Sequence, residues 1–185
     1  MPDAPLNLDH AGSRVEVVPY DPAWQGMYET ERDRLELALG DAAAAVHHVG
    51  STSVPGLPAK PCLDILVLTP GMPLVLARQA QMESLGYQGK GPHDGRPHHY
   101  FFRRLEGGRR RVHLHVIEQG HPQSDDYLLL RDYLRANPTA RVGYGGYKQR
   151  LALTSRDREE YVSKKQEFVS GLLVGADAWR AAIVK

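Results

Sequence analysis

Cysteine is nearly absent from this 185-residue chain, which contains the single residue Cys62. One cysteine cannot form an intrachain disulfide, so this composition suits a reducing cytosol, and we expect a cytoplasmic location. Because Cys62 adjoins the apolar run that starts at Leu63, we interpret it as a small buried hydrophobe and not as a nucleophile.

Long apolar runs and an excess of charge are also missing. No stretch reaches the roughly 18 consecutive apolar residues of a transmembrane helix, and residues 1–13 contain no hydrophobic segment of signal-peptide length. The formal net charge of +1 gives no overall attraction to nucleic acid or to a membrane. We therefore expect neither as a partner, whereas a protein partner is left open.

The residues that are present have the composition of a soluble globular protein, with 42% hydrophobic and 24% charged residues. The length suits one domain, and no repeat or low-complexity segment divides it. We expect an N-terminal tail over residues 1–13, one domain over 14–176 and a C-terminal tail over 177–185. A sheet-containing half, about 14–120, precedes a helical half, about 121–176, which makes the fold class α+β.

Apolar periodicity and turn residues predict the individual elements. Residues 87–96 are rich in glycine and histidine, which predicts a loop. Strands are predicted over residues 15–18, 43–49, 63–69, 98–104 and 110–118. Helices are predicted over residues 22–39, 72–85, 126–136, 139–151 and 157–174.

A Gly-Ser turn precedes an apolar strand that contains one acid. Gly50 lets backbone N–H groups approach a phosphate closely, and the hydroxyls of Ser51 and Thr52 can add donors. Asp64, on the following strand, can ligate a Mg²⁺ ion that bridges phosphate oxygens. The alternative is a tight turn and a strand-edge carboxylate that caps a neighbouring loop.

Two histidines, His113 and His115, lie two positions apart on a predicted strand, so both imidazoles face the same side of the sheet. If this strand lies beside that of Asp64, the three side chains converge. Two imidazoles and one carboxylate can hold a transition metal with open positions. The alternatives are that one histidine bonds within the core while the other faces a polar groove, or that both contact phosphate directly.

A group of basic residues can neutralise a phosphate-bearing ligand. A positive groove between sheet and helices would suit a nucleotide, CoA or another polyphosphate. The alternative is a solvated helix face with local ion pairs. The group consists of Lys60, Arg103, Arg104, Arg131, Lys148 and Lys165.

The stretch HVGSTSVPGLPAKPCLDILV, residues 48–67, resembles the signature of the GrpB family, which has the nucleotidyltransferase fold. Further matching motifs are VHLHV at 112–116 and RDYLRANP at 131–138, followed by residues 144–151 and by Tyr161 and Lys165. The resemblance implies a nucleotidyltransferase-like mixed β-sheet flanked by helices, with a C-terminal helical section. It extends to the domain fused to some bacterial dephospho-CoA kinases, in which a folding-assistance role is suggested.

The residues and the resemblance together define a candidate site. Strand alternation sends His47 and His48 to opposite faces, and His48 is the one that matches the family pattern. Asp64, His113 and His115 are the candidate catalytic residues and the candidate ligands of a divalent metal, Mg²⁺, Mn²⁺ or Zn²⁺. The candidate ligand- and phosphate-binding residues are His48, Gly50, Ser51, Thr52, Ser53, Lys60, Arg131 and Lys148.

The acidic pattern of the nucleotidyltransferases is incomplete in this chain. That pattern has a second acid two residues after the first, but Leu66 stands there, and the strand expected to carry a third acid offers His113 and His115. One carboxylate does not hold two Mg²⁺ ions in the usual way, and imidazole is a poor Mg²⁺ ligand. Whether the protein is an enzyme is therefore left open.

Three functions are compatible with these residues. The first is a metal-dependent nucleotidyl or phosphate-ligand transferase that binds a nucleotide or another phosphate-bearing small molecule. The second is a non-catalytic module that binds such a ligand or a protein partner. The third is a metal-dependent enzyme of another class, with a site built from Asp64, His113 and His115.

Overall fold

The computed structural model describes residues 15–183, which form a five-stranded mixed sheet with helices on both faces. The spatial order of the strands is β1-β2-β5-β4-β3. The central pair β2 and β5 is parallel, and the other neighbours are antiparallel. The strands are β1 (Ala45–Val49), β2 (Leu63–Thr69), β3 (Tyr87–Pro92), β4 (His99–Glu106) and β5 (Arg109–Glu118).

Six α-helices and three short 3₁₀ turns complete the described chain. None of the helices within residues 15–183 is both long and apolar enough to span a membrane. The 3₁₀ turns are Gly40–Ala42, Ser51–Ser53 and His93–Gly95. The α-helices are α1 (Ala23–Leu39), α2 (Met72–Leu76), α3 (Gln79–Ser84), α4 (Pro122–Ala136), α5 (Pro138–Thr154) and α6 (Arg158–Ile183).

The two faces of the sheet pack against different helices. On one face Ile65 and Leu114 join a large core with Leu35 of α1. On the other face Leu66 and Ile117 form a smaller core that α4 covers. Because strand side chains alternate, Asp64, His113 and His115 all lie on this second face, together with Leu66. The sheet thus places the predicted metal ligands on one face, beneath the helical half.

Strand β3 corrects the loop predicted over residues 87–96. Gly89 and Gly91 have low strand propensity and hide the pattern, but β3 pairs with β4 as an edge strand, with a register shift between these two glycines. Tyr87 is the one buried residue of β3, and its hydroxyl donates a 2.7 Å hydrogen bond to Glu31. Tertiary pairing therefore overrides local propensity here.

Two further elements differ from the prediction. The helix predicted over residues 72–85 is divided into α2 and α3, with Ala77 and Arg78 between them. The strand predicted over residues 15–18 is limited to one isolated bridge between Val18 and Ala59. Because Val18 pairs only with Ala59, residues 15–18 do not form a regular β-strand.

The last helix is longer than predicted. It continues to Ile183, so residues 177–183, which were expected to be a tail, are helical. Trp179 contacts Tyr133 of α4, with ring centroids 5.9 Å apart, and Ala176 is fully buried. Packing against α4 therefore carries the helix past the predicted end. The predicted tail over residues 1–13 lies outside the described residues.

Helix α5 approaches the loop before β2 closely at Gly145. A Cβ atom added there would lie 3.0 Å from Cδ of Pro58, whereas a Cβ added at Gly143, one half-turn earlier, meets nothing within 4 Å. Alanine in a helix interior is favoured over glycine by about 0.5–1 kcal/mol. We expect Gly143→Ala to raise the free energy of unfolding by about this amount and Gly145→Ala to lower it, in parallel urea titrations. An equal gain in both variants would show that Pro58 does not constrain α5.

Candidate functional site

The turn after β1 is built around a glycine that no other residue can replace without strain. Gly50 has φ +67° and ψ −169°, a region essentially restricted to glycine. A Cβ atom built on it would lie 2.4 Å from Oδ2 and 2.8 Å from Cβ of Asp64. The Asp64 carboxylate is therefore packed directly against the backbone of the Gly50–Ser51 turn.

Asp64 and His113 form a pair across the parallel strands β2 and β5, where they are register partners. Nδ1 of His113 lies 3.1 Å from Oδ1 of Asp64, and the Asp64 side chain remains 31% exposed. Burial opposes ionisation of this carboxyl, but the hydrogen bond from His113 and the nearby charges of His113, His115 and Lys165 outweigh it and lower its pKa to about 2. Asp64 is thus an ionised carboxylate at neutral pH, as a metal ligand must be.

Lys148 reaches from α5 to the same turn. It is only 2% exposed, its ammonium group donates to Oγ of Ser51 at 2.7 Å and to the carbonyl of Pro58, and it lies 4.5 Å from the ring centroid of Tyr144. Burial and the charge of Lys165 lower the pKa of Lys148 to about 7. A buried lysine that is easily deprotonated therefore lies beside the turn.

His48 supports the turn from the other face of the sheet. Its register partner is Ile65, it stacks on Tyr28 with ring centroids 4.6 Å apart, and its Nε2 lies 3.0 Å from Oγ1 of Thr52. Burial lowers the pKa of His48 to about 4, so its ring is neutral. Thr52 and Ser53 are also buried, and Oγ of Ser53 donates to the Gly50 carbonyl at 2.6 Å. His48 therefore lies on the opposite face of the sheet from Asp64, and the hydroxyls of Thr52 and Ser53 bond to His48 and to the backbone of the turn.

Arginine side chains of α4 hold the backbone around the turn. Arg131 forms an ion pair with Asp132 and donates to the carbonyl of His48 at 3.3 Å. Arg135, which the sequence did not single out, donates twice to the carbonyl of Ser53, at 3.0 and 2.7 Å. Lys60, half-buried in the loop before β2, is the remaining predicted ligand-binding residue.

His115 is directed to a different set of side chains from His113. Its Nδ1 lies 2.9 Å from Nε2 of His99 and 3.3 Å from the hydroxyl of Tyr127. Asp64 and His113 are therefore brought together, whereas His115 joins a neighbouring cluster on the same face. Within residues 15–183, the three potential metal ligands whose donor atoms all lie within 4.8 Å of one another are His93, His99 and His115.

Sequence reasoning missed His93 and His99. His93 belongs to a 3₁₀ turn within the predicted loop, and His99 is the first residue of β4. The only signal was the density of histidines in the run HDGRPHH, residues 93–99, which gave no indication of a common target. Their convergence depends on the antiparallel pairing of β4 with β5.

Leu66 occupies the position two residues after Asp64 and is fully buried against Val49 and Ile117. This apolar contact takes the place of a second acid on β2. The neighbouring strand β5 presents His113 and His115 on the same face. The described part of the chain therefore offers one carboxylate, not a carboxylate pair, at the turn.

The model of the GrpB protein family matches residues 14–174. The UPF0157 protein YqkA of Bacillus subtilis is 35% identical over 169 residues, which cover 90% of this chain and 48% of that protein. A dephospho-CoA kinase of Mycolicibacterium paratuberculosis is 29% identical over 93% of this chain and 47% of its own length. The chain thus spans about half the length of these two relatives.

Two solved structures resemble the fold. The crystal structure of conserved protein GrpB from Enterococcus faecalis has a TM-score of 0.81 and 32% identity, covering 89% of this chain and 99% of that chain. A cytoplasmic RNA terminal U-transferase has a TM-score of 0.52 at 15% identity, covering 71% of this chain and 40% of that chain. At such low identity the second likeness concerns the fold alone, and it confirms the predicted nucleotidyltransferase-like sheet.

Proposed function

This chain belongs to the GrpB family, and we propose that it binds a nucleotide or another phosphate-bearing small molecule at the Gly50–Ser51 turn beside Asp64. The observation that carries the proposal is the contact of a buried lysine with this turn, since Nζ of Lys148 lies 2.7 Å from Oγ of Ser51. A buried ammonium group is costly unless it has a partner of opposite charge, and the Ser51 hydroxyl and the Pro58 carbonyl that it contacts are uncharged. An anionic ligand at the turn would supply that partner.

The charges around the turn favour a phosphate group. Lys148 and Lys165 both act electrostatically on Asp64, and His113 bonds to it. Three basic side chains therefore surround one carboxylate. Ser51 adds a hydroxyl donor, and the glycine backbone of the turn allows a ligand to approach closely. This excess of donors suits a multiply charged anion better than a neutral substrate.

Asp64 is the proposed ligand of a single divalent cation that accompanies the phosphate. Mg²⁺ is commonly bound through one or two carboxylates together with substrate phosphates, so one ionised carboxylate is sufficient for such a role. Leu66 supplies no second carboxylate, which disfavours the two-metal arrangement of nucleotidyl transfer. The same substitution favours a second candidate function, a binding module that holds its ligand without transferring it.

Calorimetric titration with ATP, CTP and CoA, each with and without Mg²⁺, tests the proposal. We expect binding of at least one of these compounds to be strengthened by Mg²⁺. In Asp64→Asn the Mg²⁺-dependent part should be lost, with an affinity at least tenfold weaker. Asp33→Asn is the matched control, because Asp33 is 66% exposed on α1.

Two outcomes would contradict the proposal. The first is that none of the three compounds binds under either condition. The second is that Asp64→Asn and Asp33→Asn bind with equal affinity, which would place the ligand elsewhere. Chromatography of the nucleotide after incubation with the protein distinguishes the two functions, because a transferase converts the bound nucleotide and a binding module leaves it intact.

A further inference from the structure

We propose that His93, His99 and His115 form a binding site for a transition-metal ion, with Zn²⁺ as the expected occupant. This site is separate from the cation proposed at Asp64 and does not rest on the phosphate-binding function. Its three ligands come from the 3₁₀ turn after β3, the first residue of β4 and the middle of β5. The sheet therefore holds two of them, and a short turn supplies the third.

The three imidazoles already converge. Their donor atoms all lie within 4.8 Å of one another, and Nε2 of His99 is 2.9 Å from Nδ1 of His115. The His93 ring centroid lies 4.5 Å from that of His99 and 5.5 Å from that of His115. His99 is fully buried and His115 is 8% exposed. Three imidazole nitrogens that face one point beneath a helix have the arrangement of a metal site.

Small side-chain movements would complete the coordination. Zn–N bonds of about 2.0–2.1 Å in a tetrahedral site place ligand nitrogens about 3.4 Å apart. The His99–His115 contact would open by a few tenths of an ångström to reach this distance. His93 would move inward, and because its side chain is 32% exposed on a short turn, it has the freedom to do so.

The surroundings of His99 orient its lone pair toward this point. Nδ1 of His99 lies 3.2 Å from Oε1 of Gln123, an oxygen that can only accept a hydrogen bond. Nδ1 therefore carries the proton, and Nε2 presents its lone pair to His115 and His93. A metal-ligating histidine usually donates its other N–H to an oxygen in this way. Gln123 is thus the positioning residue of the site.

Both buried imidazoles are in the protonation state that metal binding requires. Burial lowers the pKa of His99 to about 4 and that of His115 to about 3, so both rings are neutral at physiological pH. With Nδ1 of His99 protonated, the 2.9 Å contact requires Nδ1–H of His115 to donate to Nε2 of His99 in the metal-free protein. Metal binding requires His115 to move this proton to Nε2, a change of tautomer that releases no proton.

The donor set selects the class of metal. Imidazole nitrogens suit Zn²⁺, Cu²⁺, Ni²⁺ and Fe²⁺, whereas Mg²⁺ and Ca²⁺ prefer oxygen ligands. Three protein ligands leave a fourth position for water or substrate, as in catalytic zinc sites. His115 lies on the same face of the sheet as Asp64, and the hydroxyl of Tyr127 lies 3.3 Å from its Nδ1. A group bound to the metal would therefore face the same side of the sheet as Asp64.

Metal binding is tested on the full chain purified without an affinity tag and stripped with a chelator. Zn²⁺ is titrated in competition with a chromophoric chelator, and Co²⁺ is titrated by its visible absorption. We expect one equivalent of either metal to bind, and His93→Ala to weaken Zn²⁺ binding at least hundredfold. His47→Ala is the control, because His47 lies on the edge strand β1, and β2 separates β1 from β5.

Two further variants make the ligand assignment falsifiable. Gln123→Leu should weaken Zn²⁺ binding about tenfold while the Co²⁺ spectrum stays that of a three-histidine site. Asp64→Asn should bind Zn²⁺ as tightly as the unaltered protein. Loss of Zn²⁺ binding in Asp64→Asn would instead place the metal at Asp64, His113 and His115 and overturn the proposed set. Equal Zn²⁺ affinity in His93→Ala and the unaltered protein would overturn it as well.

Folding of the variants is checked on the metal-free proteins. Because His93 is partly exposed, His93→Ala should keep the circular dichroism spectrum and thermal midpoint of the metal-free parent. Nucleotide binding separates the two sites, since its affinity should be unchanged in His93→Ala and at least tenfold weaker in Asp64→Asn. If the protein binds Zn²⁺ but no nucleotide, the proposed histidine site is supported and only the proposed phosphate-binding function is refuted.

Discussion

Gly50→Ala is expected to lower the free energy of unfolding by about 3 kcal/mol and to abolish ligand binding at the turn. The backbone at Gly50 lies in a region that costs other residues about 1–3 kcal/mol. The added Cβ would also lie 2.4 Å from Oδ2 of Asp64, so the carboxylate or the turn must move. Either movement separates the Asp64 carboxylate from the backbone at Gly50, and the proposed phosphate site depends on that contact.

The effect is measured by urea denaturation and by nucleotide titration of the same preparations. Gly26→Ala is the matched control, because a Cβ added at Gly26 in α1 meets nothing within 4 Å. The control should be unchanged or more stable by up to about 1 kcal/mol. A Gly50→Ala protein as stable as this control, with ligand binding intact, would show that the Asp64 contact has no role in the site.

Lys148→Met should weaken binding of the phosphate-bearing ligand at least tenfold and remove a distinct pH dependence of stability. Unfolded Lys148 keeps its proton up to its ordinary pKa of 10.5, whereas the folded protein releases it near 7. Between these values the unfolded state binds more protons, so the free energy of unfolding rises with pH. Lys148 alone raises the free energy of unfolding by up to about 1.4 kcal/mol per pH unit in this range, and the methionine variant lacks this increase.

The measurement is a series of urea titrations between pH 6 and pH 9 on both proteins. The free energy of unfolding of the unaltered protein minus that of Lys148→Met should be constant below about pH 7 and should increase with pH above it. Lys164→Met serves as the control, since Lys164 is 47% exposed and forms only a surface ion pair with Glu160. Parallel pH profiles for the unaltered protein and Lys148→Met would refute the lowered pKa.

Ligand affinity should fall over the same pH range. As Lys148 loses its proton above about pH 7, its attraction for a phosphate group disappears, so the dissociation constant rises. A bound anion counteracts this change by favouring the charged lysine. The apparent pKa in the complex should therefore lie above that in the free protein, which a titration of affinity against pH would show.

The sheet could be predicted from the chain because its core strands carry strong local patterns. The run from Leu63 to Thr69 is apolar on both faces except at Asp64, and β2 has these bounds in the structure. The spacing of His113 and His115 set both on one face, and the parallel pairing of β5 with β2 made His113 the register partner of Asp64. Period-two alternation was sufficient for this part of the site.

Other features depend on contacts between distant segments, which local patterns do not encode. The glycines of β3 conceal a strand that exists only because β4 pairs with it. The hydrogen bond from Lys148 to Ser51 forms only because α5 packs over the loop before β2, where Gly145 lies close to Pro58. His48 faces the opposite side of the sheet from Asp64 because it pairs with Ile65, although the family pattern had placed it among the ligand-binding residues.

The parallel pairing of β2 with β5 also determines when the site can form during folding. Asp64 and His113 are 49 residues apart in the chain, and Ser51 and Lys148 are 97 apart. The entropy of closing such long loops must be overcome before these contacts add stability, which slows their formation. A nascent chain that has emerged only as far as β5 can align the carboxylate with its imidazole, but it still lacks the lysine. The turn therefore acquires the ammonium group of Lys148 only after α5 has been synthesised and has docked.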